Sequence, residues 1–398
     1  MRSPNPPLGG LSVDDFMRRH WQRRPLLVRG AFPGFRSPID PAEVFALAER
    51  DDVESRLITA FSARWKLRHG PFAPDELPSR GRRNWTLLVQ GVDTLHDAAR
   101  TLIERFRFVA DARLDDLMIS FATDGGGVGP HLDSYDVFLL QAHGTRRWRI
   151  APPPQDRTLA PDRPVRQLAR FEPTEEWLLE PGDMLYLPPD WCHDGVAVGD
   201  CMTFSIGFRA PSRHELLRAF LGDCADEAPQ GPDPRYADPG TPPTRHPGEL
   251  PAAMHGTLSR WLLDWRPTRA QVDAFIGRYV TEPKPSVWFE PPTRRLSDDA
   301  FAARLADASL LADRRTRMAY RGNRFFINGE DLRLEGGLRA PLKRFADARC
   351  LPPGALADAP VDSPLFCTLR AWWDSGWIHF APADAPAPGR ARRAAAAP

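Results

Sequence analysis

Cysteine is scarce in this chain. There are five in 398 residues, at Cys192, Cys201, Cys224, Cys350 and Cys367, and no two form a CxxC pair. An odd, scattered set excludes a disulfide framework and a zinc ribbon, and the expected setting is reducing and cytoplasmic. An excess of one charge is also missing: 53 basic side chains face 52 acidic ones, a net charge of +1. That balance leaves no electrostatic footprint for DNA or an anionic membrane, a local patch aside. No apolar run reaches the ~20 residues a membrane helix needs. The opening MRSPNPPLGGL carries no apolar stretch of the kind a secretion signal uses. No repeat interrupts the text.

What is there is a large apolar fraction, 42%, in a chain long enough for two or three domains. Up to about residue 210 the pattern mixes helix and strand. Ser12 is placed to cap a helix through Phe16, which leads into a strand over Pro25–Arg29. DTLHDAARTLIERF reads as an amphipathic helix. From Leu117 short strands follow closely: LMISFA, DVFLLQ, TRRWRI, DMLYLP and CMTFSIGF. The spacing predicts an all-β barrel or sandwich, with DVFLLQ and TRRWRI as a hairpin turning at Ala142-His143-Gly144. Residues 225–252 hold eight prolines in 28 positions and read as a linker or exposed loop. Helical text resumes at MHGTLSRWLLDW and TRAQVDAFIGRYV. From about Pro283 a capped helix, a hairpin with Gly-Asn and Asn-Gly turns, and a helix running into a strand suggest a winged-helix unit. The stripe Leu258, Trp261, Leu262, Trp265 reads as core or as an interface between copies. The alanine-arginine tail from 381 is low in complexity and is expected to be disordered.

The segment DGGGVGPHLD, Asp124 to Asp133, carries the chemistry. A phosphate-binding loop would need lysine and Ser/Thr after its last glycine, and a dinucleotide fingerprint would need a helix there. Pro130, His131 and strand text follow instead. His131 and Asp133 are two apart, so on a strand they share a face. With His193, from EPGDMLYLPPDWCHDG, they make two imidazoles and one carboxylate. That is the facial triad of non-haem Fe(II) oxygenases, which leaves coordination positions open. A lone His-x-Asp is also compatible with ordinary polar packing. The distance in sequence favours the metal: 62 residues separate His131 from His193, enough for several barrel strands to bring them together.

Alternation in TRRWRI puts Arg146, Trp148 and Ile150 on one face, the inward one. An inward arginine needs an anion, and a guanidinium grips a carboxylate with two hydrogen bonds. The far carboxylate of 2-oxoglutarate fits, as would a protein carboxylate. Ser120 in LMISFA is placed to donate to the same group. The glycines let the backbone turn sharply and approach the site closely.

MISFATDGGGVGPHLDSYDVFLLQAHGTRRWRI, EPGDMLYLPPDWCHDG and MTFSIGFRAPSRHELL together resemble the bacterial ribosomal oxygenases, JmjC-type members of the cupin superfamily. The likeness extends to FMRRHWQRRPLLVRGAF and, more weakly, to the last third. It implies an α+β protein: a double-stranded β-helix in 1–210, a helical dimerisation region in 211–282 and a winged-helix domain in 283–380. It implies Fe(II), 2-oxoglutarate and O2. It implies hydroxylation at carbon of an arginine in large-subunit ribosomal protein sixteen by a homodimer. The iron ligands would be His131, Asp133 and His193, and the 2-oxoglutarate contacts Ser120 and Arg146.

A cationic substrate side chain needs an anion, and Asp124 is one candidate; capping the glycine turn is its other reading. Two further functions compete. A JmjC demethylase would oxidise an N-methyl group. A non-catalytic regulator would bind nucleic acid through Arg314, Arg315, Arg317, Arg321 and Arg324 on the winged-helix hairpin. The intact triad and Arg146 favour catalysis, with nucleic acid not a specific ligand and no membrane partner.

Overall fold

Ser12 opens the first helix as expected: its hydroxyl accepts the Asp15 N–H at 3.0 Å, and helix α1 spans Val13–Arg19. The computed structural model describes residues 6–62, 64–154, 156–226, 233, 235–335, 339–356, 359–361 and 363–381. The tail beyond 381 therefore lies outside the described residues. After α1 come β1 (Leu26–Val28), α2 (Pro41–Ala48), β2 (Ser55–Phe61), β3 (Arg64–His69), β4 (Trp85–Val89), α3 (Asp97–Ile103) and β5 (Leu114–Ala122). Then follow β6 (Asp136–Ala151), β7 (Glu175–Leu179), β8 (Met184–Leu187) and β9 (Cys192–Phe208).

These strands form one nine-stranded sheet in the order β1-β8-β6-β9-β5-β4-β2-β3, with β7 on the second half of β6. Every pairing is antiparallel. Alternation sorts the side chains into two sets. One set, including Trp85, Leu117, Ile119, Phe121, Phe138 and Phe204, packs with Phe16 of α1 beneath the surrounding helices as the larger core. The other set fills the far face with Val137, Leu139, Trp148, Ile150, Leu179, Leu185 and Leu187.

DVFLLQ and TRRWRI do not form a hairpin. They are one continuous strand, β6, paired along its length with β9, and the register shifts at Gln141/His143 and His143/Thr145. Ala142-His143-Gly144 is a bulge rather than a reversal. The buried Gln141 amide donates to the carbonyls of His143 and Gly144, at 2.9 and 3.1 Å, and so satisfies groups the bulge removes from the ladder. Gly144 has φ +59°, and a Cβ there would lie 2.0 Å from the Asp200 carbonyl oxygen, so strand β9 presses on the bulge.

Beyond the barrel, α4 (Arg213–Asp226), α5 (Ala252–Asp264) and α6 (Arg269–Thr281) bracket the proline-rich stretch; its described residues between α4 and α5 form neither helix nor strand. Trp261, Leu262 and Trp265 are exposed in the single chain, so the apolar stripe is not core. The last unit comprises α7 (Asp298–Asp307), β10 (Leu310–Ala312), β11 (Met318–Arg321), β12 (Arg324–Ile327) and β13 (Glu330–Arg333). It continues with α8 (Arg339–Ala348), β14 (Cys350–Leu351), α9 (Pro364–Asp374) and β15 (Ile378–Phe380). The hairpin gains a third strand, β13, because the Asn-Gly turn (Asn328 φ +46°, Gly329 φ +87°) reverses the chain again. Phe301, Phe325, Phe345 and Leu369 form its own core.

Four of the five arginines singled out around this hairpin are held by partners and do not form a solvent-facing basic cluster with Arg321. Arg317 donates to the barrel carbonyls of Asp115 (2.7 Å) and Leu114 (3.3 Å). Arg314 and Arg315 both donate to the Thr94 carbonyl and pair with Asp97 and Glu290 respectively. Arg324 is bound to Asp331. Of the five, Arg321 alone is exposed.

Candidate metal centre

The glycine segment after β5 is zippered to the start of β9. Gly125 N–H donates to Ala197 O at 3.0 Å, and Ala197 N–H to Gly126 O at 2.9 Å. Further along, His131 and His193 form an isolated β-bridge. Side chains have no room between these contacts. A Cβ on Gly127 would lie 2.5 Å from the Gly195 carbonyl oxygen, and one on Gly126 would lie 2.3 Å from that of Trp85. Gln167 closes the segment from outside, with its amide donating to Val128 O at 2.6 Å.

His131 and His193 thus stand side by side, with ring centroids 4.2 Å apart. Asp133 lies just past the bridge and outside any strand, yet its carboxylate meets both: 3.9 Å to His131 Nε2 and 3.5 Å to His193 Nε2. One ligand atom from each residue falls within 4.8 Å of the others. Each imidazole is oriented by a carbonyl, His131 Nδ1 on Gly129 O (2.8 Å) and His193 Nδ1 on Trp191 O (2.9 Å). A carbonyl only accepts, so Nδ1 carries the hydrogen and Nε2 offers its lone pair to the centre. Burial lowers the pKa of His131, and the neighbouring His193 adds to this. Burial works most strongly against charging His193, but for the imidazolium the hydrogen bond to and charge of Asp133, the Trp191 carbonyl and Asp194 together exceed it, and the pKa rises. For Asp133 burial opposes ionisation, while the His193 hydrogen bond and both imidazoles overcome it and hold the carboxyl below its ordinary range. This is the donor set that suits non-haem Fe(II), and the residues fit the ion.

Arg146 faces inward, as alternation predicts, and is 3% exposed. Among the described residues it makes no ion pair. Its Nε donates to Cys201 Sγ at 3.4 Å, and its Nη2 is buried with no hydrogen-bond partner. A buried guanidinium in that state calls for an anionic ligand. Ser120 is buried on the same face, with its hydroxyl in a long 3.4 Å contact to Thr203 O. Asp124 is half-exposed at the glycine turn; its carboxylate pairs with Arg83 at 2.7 Å and accepts the Gly199 N–H at 2.9 Å.

Two side chains, Thr86 and Tyr135, escaped the sequence reading, as did the polar end of Trp148. The Trp148 indole Nε1 and the Thr86 hydroxyl are buried without hydrogen-bond partners. Register places Thr86 beside Ala122, and Ala122 beside Cys201, in one row across β4, β5 and β9. Tyr135 lies near Asp133 and helps to favour its ionised form. Nothing in the local text distinguishes Thr86 from a structural strand threonine.

Comparison with known proteins agrees with this geometry. Residues 101–216 match the JmjC domain family, and residues 260–379 match the ROXA-like winged helix. The chain is 34% identical over 371 residues to the ribosomal protein uL16 3-hydroxylase of Escherichia coli, covering 93% of this chain and 98% of that protein. The chain belongs to the ribosomal oxygenase family. A probable ribosomal oxygenase of Haemophilus influenzae is 29% identical over 393 residues, 92% of this chain and 96% of that one. Among solved structures, the E. coli ribosomal oxygenase YcfD in complex with cobalt and 2-oxoglutarate superposes with a TM-score of 0.77 at 34% identity. That match covers 93% of this chain and 98% of the other. Membership accounts for the barrel and the winged helix together.

Proposed function

We propose that this ribosomal oxygenase hydroxylates an arginine side chain of ribosomal protein uL16, using Fe(II), 2-oxoglutarate and O2. The observation that carries it is the pairing of the His131–Asp133–His193 triad with Arg146, a buried cation lacking a carboxylate among the described residues. The uL16 specificity rests on the likeness to the E. coli enzyme.

Bound iron with its co-substrate and O2 supplies the oxidising power that converts C–H to C–OH. The chain supplies position. His131, Asp133 and His193 would hold the ion. Arg146 and Ser120 fix the far carboxylate of 2-oxoglutarate, and the apolar wall of Val137, Leu139 and Leu185 excludes water. No side chain has to act as a general base. At the mouth, Asp124 already holds one guanidinium, that of Arg83; a substrate arginine exchanges with it. The cytoplasm, where ribosomes reside, is the proposed site of action. The exposed apolar faces of α4 and α5 form a homodimer interface.

The test is mass spectrometry of a uL16 peptide incubated with protein, Fe(II) and 2-oxoglutarate, beside His131→Ala. One added oxygen on an arginine, absent from the variant, is expected. Loss of a methyl group from a methylated peptide would replace hydroxylation with demethylation. Absence of both products would sink the proposal.

A further inference from the structure

Arg146 is unusual in what it does not touch. A buried guanidinium in a protein is ordinarily held by a carboxylate. Here the group bound to its Nε is a thiol, Cys201 Sγ at 3.4 Å, and Cys201 is itself fully buried. Cys201 sits with Ala122 and Ala197 in a small apolar cluster directly against the arginine. Trp148 lies on its other side, with the guanidinium carbon 5.8 Å from the ring centroid. The arginine is thus surrounded by neutral groups, and one nitrogen, Nη2, has no protein partner.

We propose that Cys201 is a positioning residue that makes this pocket selective for a dicarboxylate. It rests on the reading of Arg146 as the 2-oxoglutarate anchor. The thiol accepts from Nε and so fixes the plane of the guanidinium. Being neutral and a weak acceptor, it leaves the positive charge of Arg146 to the ligand. An aspartate at this position would fix the same plane but would neutralise the cation from within. An alanine would leave the charge but release the orientation. In either case the far carboxylate of the ligand loses its fork, while the keto-acid end, held at the metal, does not.

The distinction is measurable without turnover. Titration calorimetry on the Mn(II)-loaded full-length protein compares 2-oxoglutarate with 2-oxobutanoate, which has the same keto-acid end and no second carboxylate. Wild-type protein is expected to prefer 2-oxoglutarate. Cys201→Ala should weaken 2-oxoglutarate about three- to tenfold, the worth of one ordinary hydrogen bond. Affinity for 2-oxobutanoate should be unchanged. Cys201→Ser should restore most of the preference, and Cys201→Asp should abolish it. If Cys201→Asp does not fold, the alanine and serine variants decide alone. Equal weakening of both ligands, or an unaltered preference in Cys201→Ala, would overturn the proposal. If wild-type protein binds Mn(II) but shows no preference for 2-oxoglutarate, the assignment of Arg146 as its anchor falls, and this inference with it.

Discussion

His131 and His193 hydrogen-bond each other's backbone in both directions, His131 N–H to His193 O at 3.0 Å and His193 N–H to His131 O at 3.1 Å. The two imidazoles that would hold the metal are therefore a single β-bridge pair, although 62 residues separate them in the chain. Their spacing is set by the ladder and not by side-chain choice, and Asp133 needs only to follow two residues later.

A site assembled in this way before metal arrives should gain stability when metal binds. At a metal concentration about 100 times Kd, binding to the folded state alone adds about 2.7 kcal/mol. For a domain of this size that corresponds to a rise in Tm of roughly 5–10 °C. Thermal melts with and without Mn(II) check it, with EDTA reversing the shift. Asp133→Ala should show no metal-dependent shift. A shift that survives in Asp133→Ala would mean the ion binds elsewhere.

The exchange proposed for Asp124 separates two Michaelis constants. The carboxylate pairs with Arg83 and caps the turn through Gly199 N–H. Losing a charge-assisted hydrogen bond to substrate costs about 1.5–3 kcal/mol, or roughly 10–100-fold in binding. Asp124→Ala should raise the peptide KM on that scale and leave the KM for 2-oxoglutarate near wild type. A peptide KM that does not move would leave Asp124 with its turn-capping role only.

Much of this was legible in the sequence because it depends on short-range periodicity. Alternation turned Arg146, Trp148 and Ile150 inward, and the i, i+2 spacing put Asp133 near His131, although Asp133 lies past an isolated bridge and not on a strand. The hairpin over Ala142–Gly144 was misread because a glycine-centred turn and a bulge share local chemistry. What decides between them is Gln141, whose amide reaches the bulge carbonyls, and strand β9, which pairs on both sides of it. Likewise, five arginines near a hairpin look the same whether they face solvent or dock on a barrel. Only the tertiary arrangement delivers the carbonyls of Thr94, Leu114 and Asp115 to them. Thr86 was invisible for a related reason, since an unsatisfied hydroxyl is defined by partners that are missing in space.

Where the barrel meets the segment leading to the winged helix, Asp116 is buried with Asp93 and Asp115 nearby and Lys284 at 3.3 Å. Burial pushes its carboxyl up to about 6; Lys284 opposes this, and the two neighbouring aspartates add to it. A raised carboxyl binds its proton more tightly in the folded state. Its stabilising contribution is complete below the unfolded value near 3.8 and is lost as pH rises through about 6. The span corresponds to about 3 kcal/mol, an order-of-magnitude figure. Denaturant unfolding of wild type and Asp116→Asn across pH 4 to 7 reads this group together with the neighbours coupled to it, Asp93, Asp115 and Lys284, while distant titrations cancel in the difference. Wild type should lose stability relative to the variant as pH rises over that interval. A flat difference would show that Asp116 titrates normally.

The helices after the barrel leave apolar side chains uncovered. Leu262 is 80% exposed and Leu263 68%, with Trp261 and Trp265 beside them and Leu217 and Leu221 on α4. Large apolar side chains left exposed on neighbouring helices in this way mark an interface in a stable protein. A second copy is the proposed occupant. Light scattering after size exclusion should give twice the mass of one chain for wild type. Leu262→Glu puts a charge into the proposed contact, where an unpaired buried charge costs several kcal/mol, and should give a monomer. The metal centre is built wholly from barrel residues of one chain, so the monomer should still show the Mn(II)-dependent rise in Tm. A wild-type protein that elutes as a monomer at micromolar concentration would remove the dimer. If Leu262→Glu also lost its metal response, the centre would depend on assembly in a way a single-chain site does not.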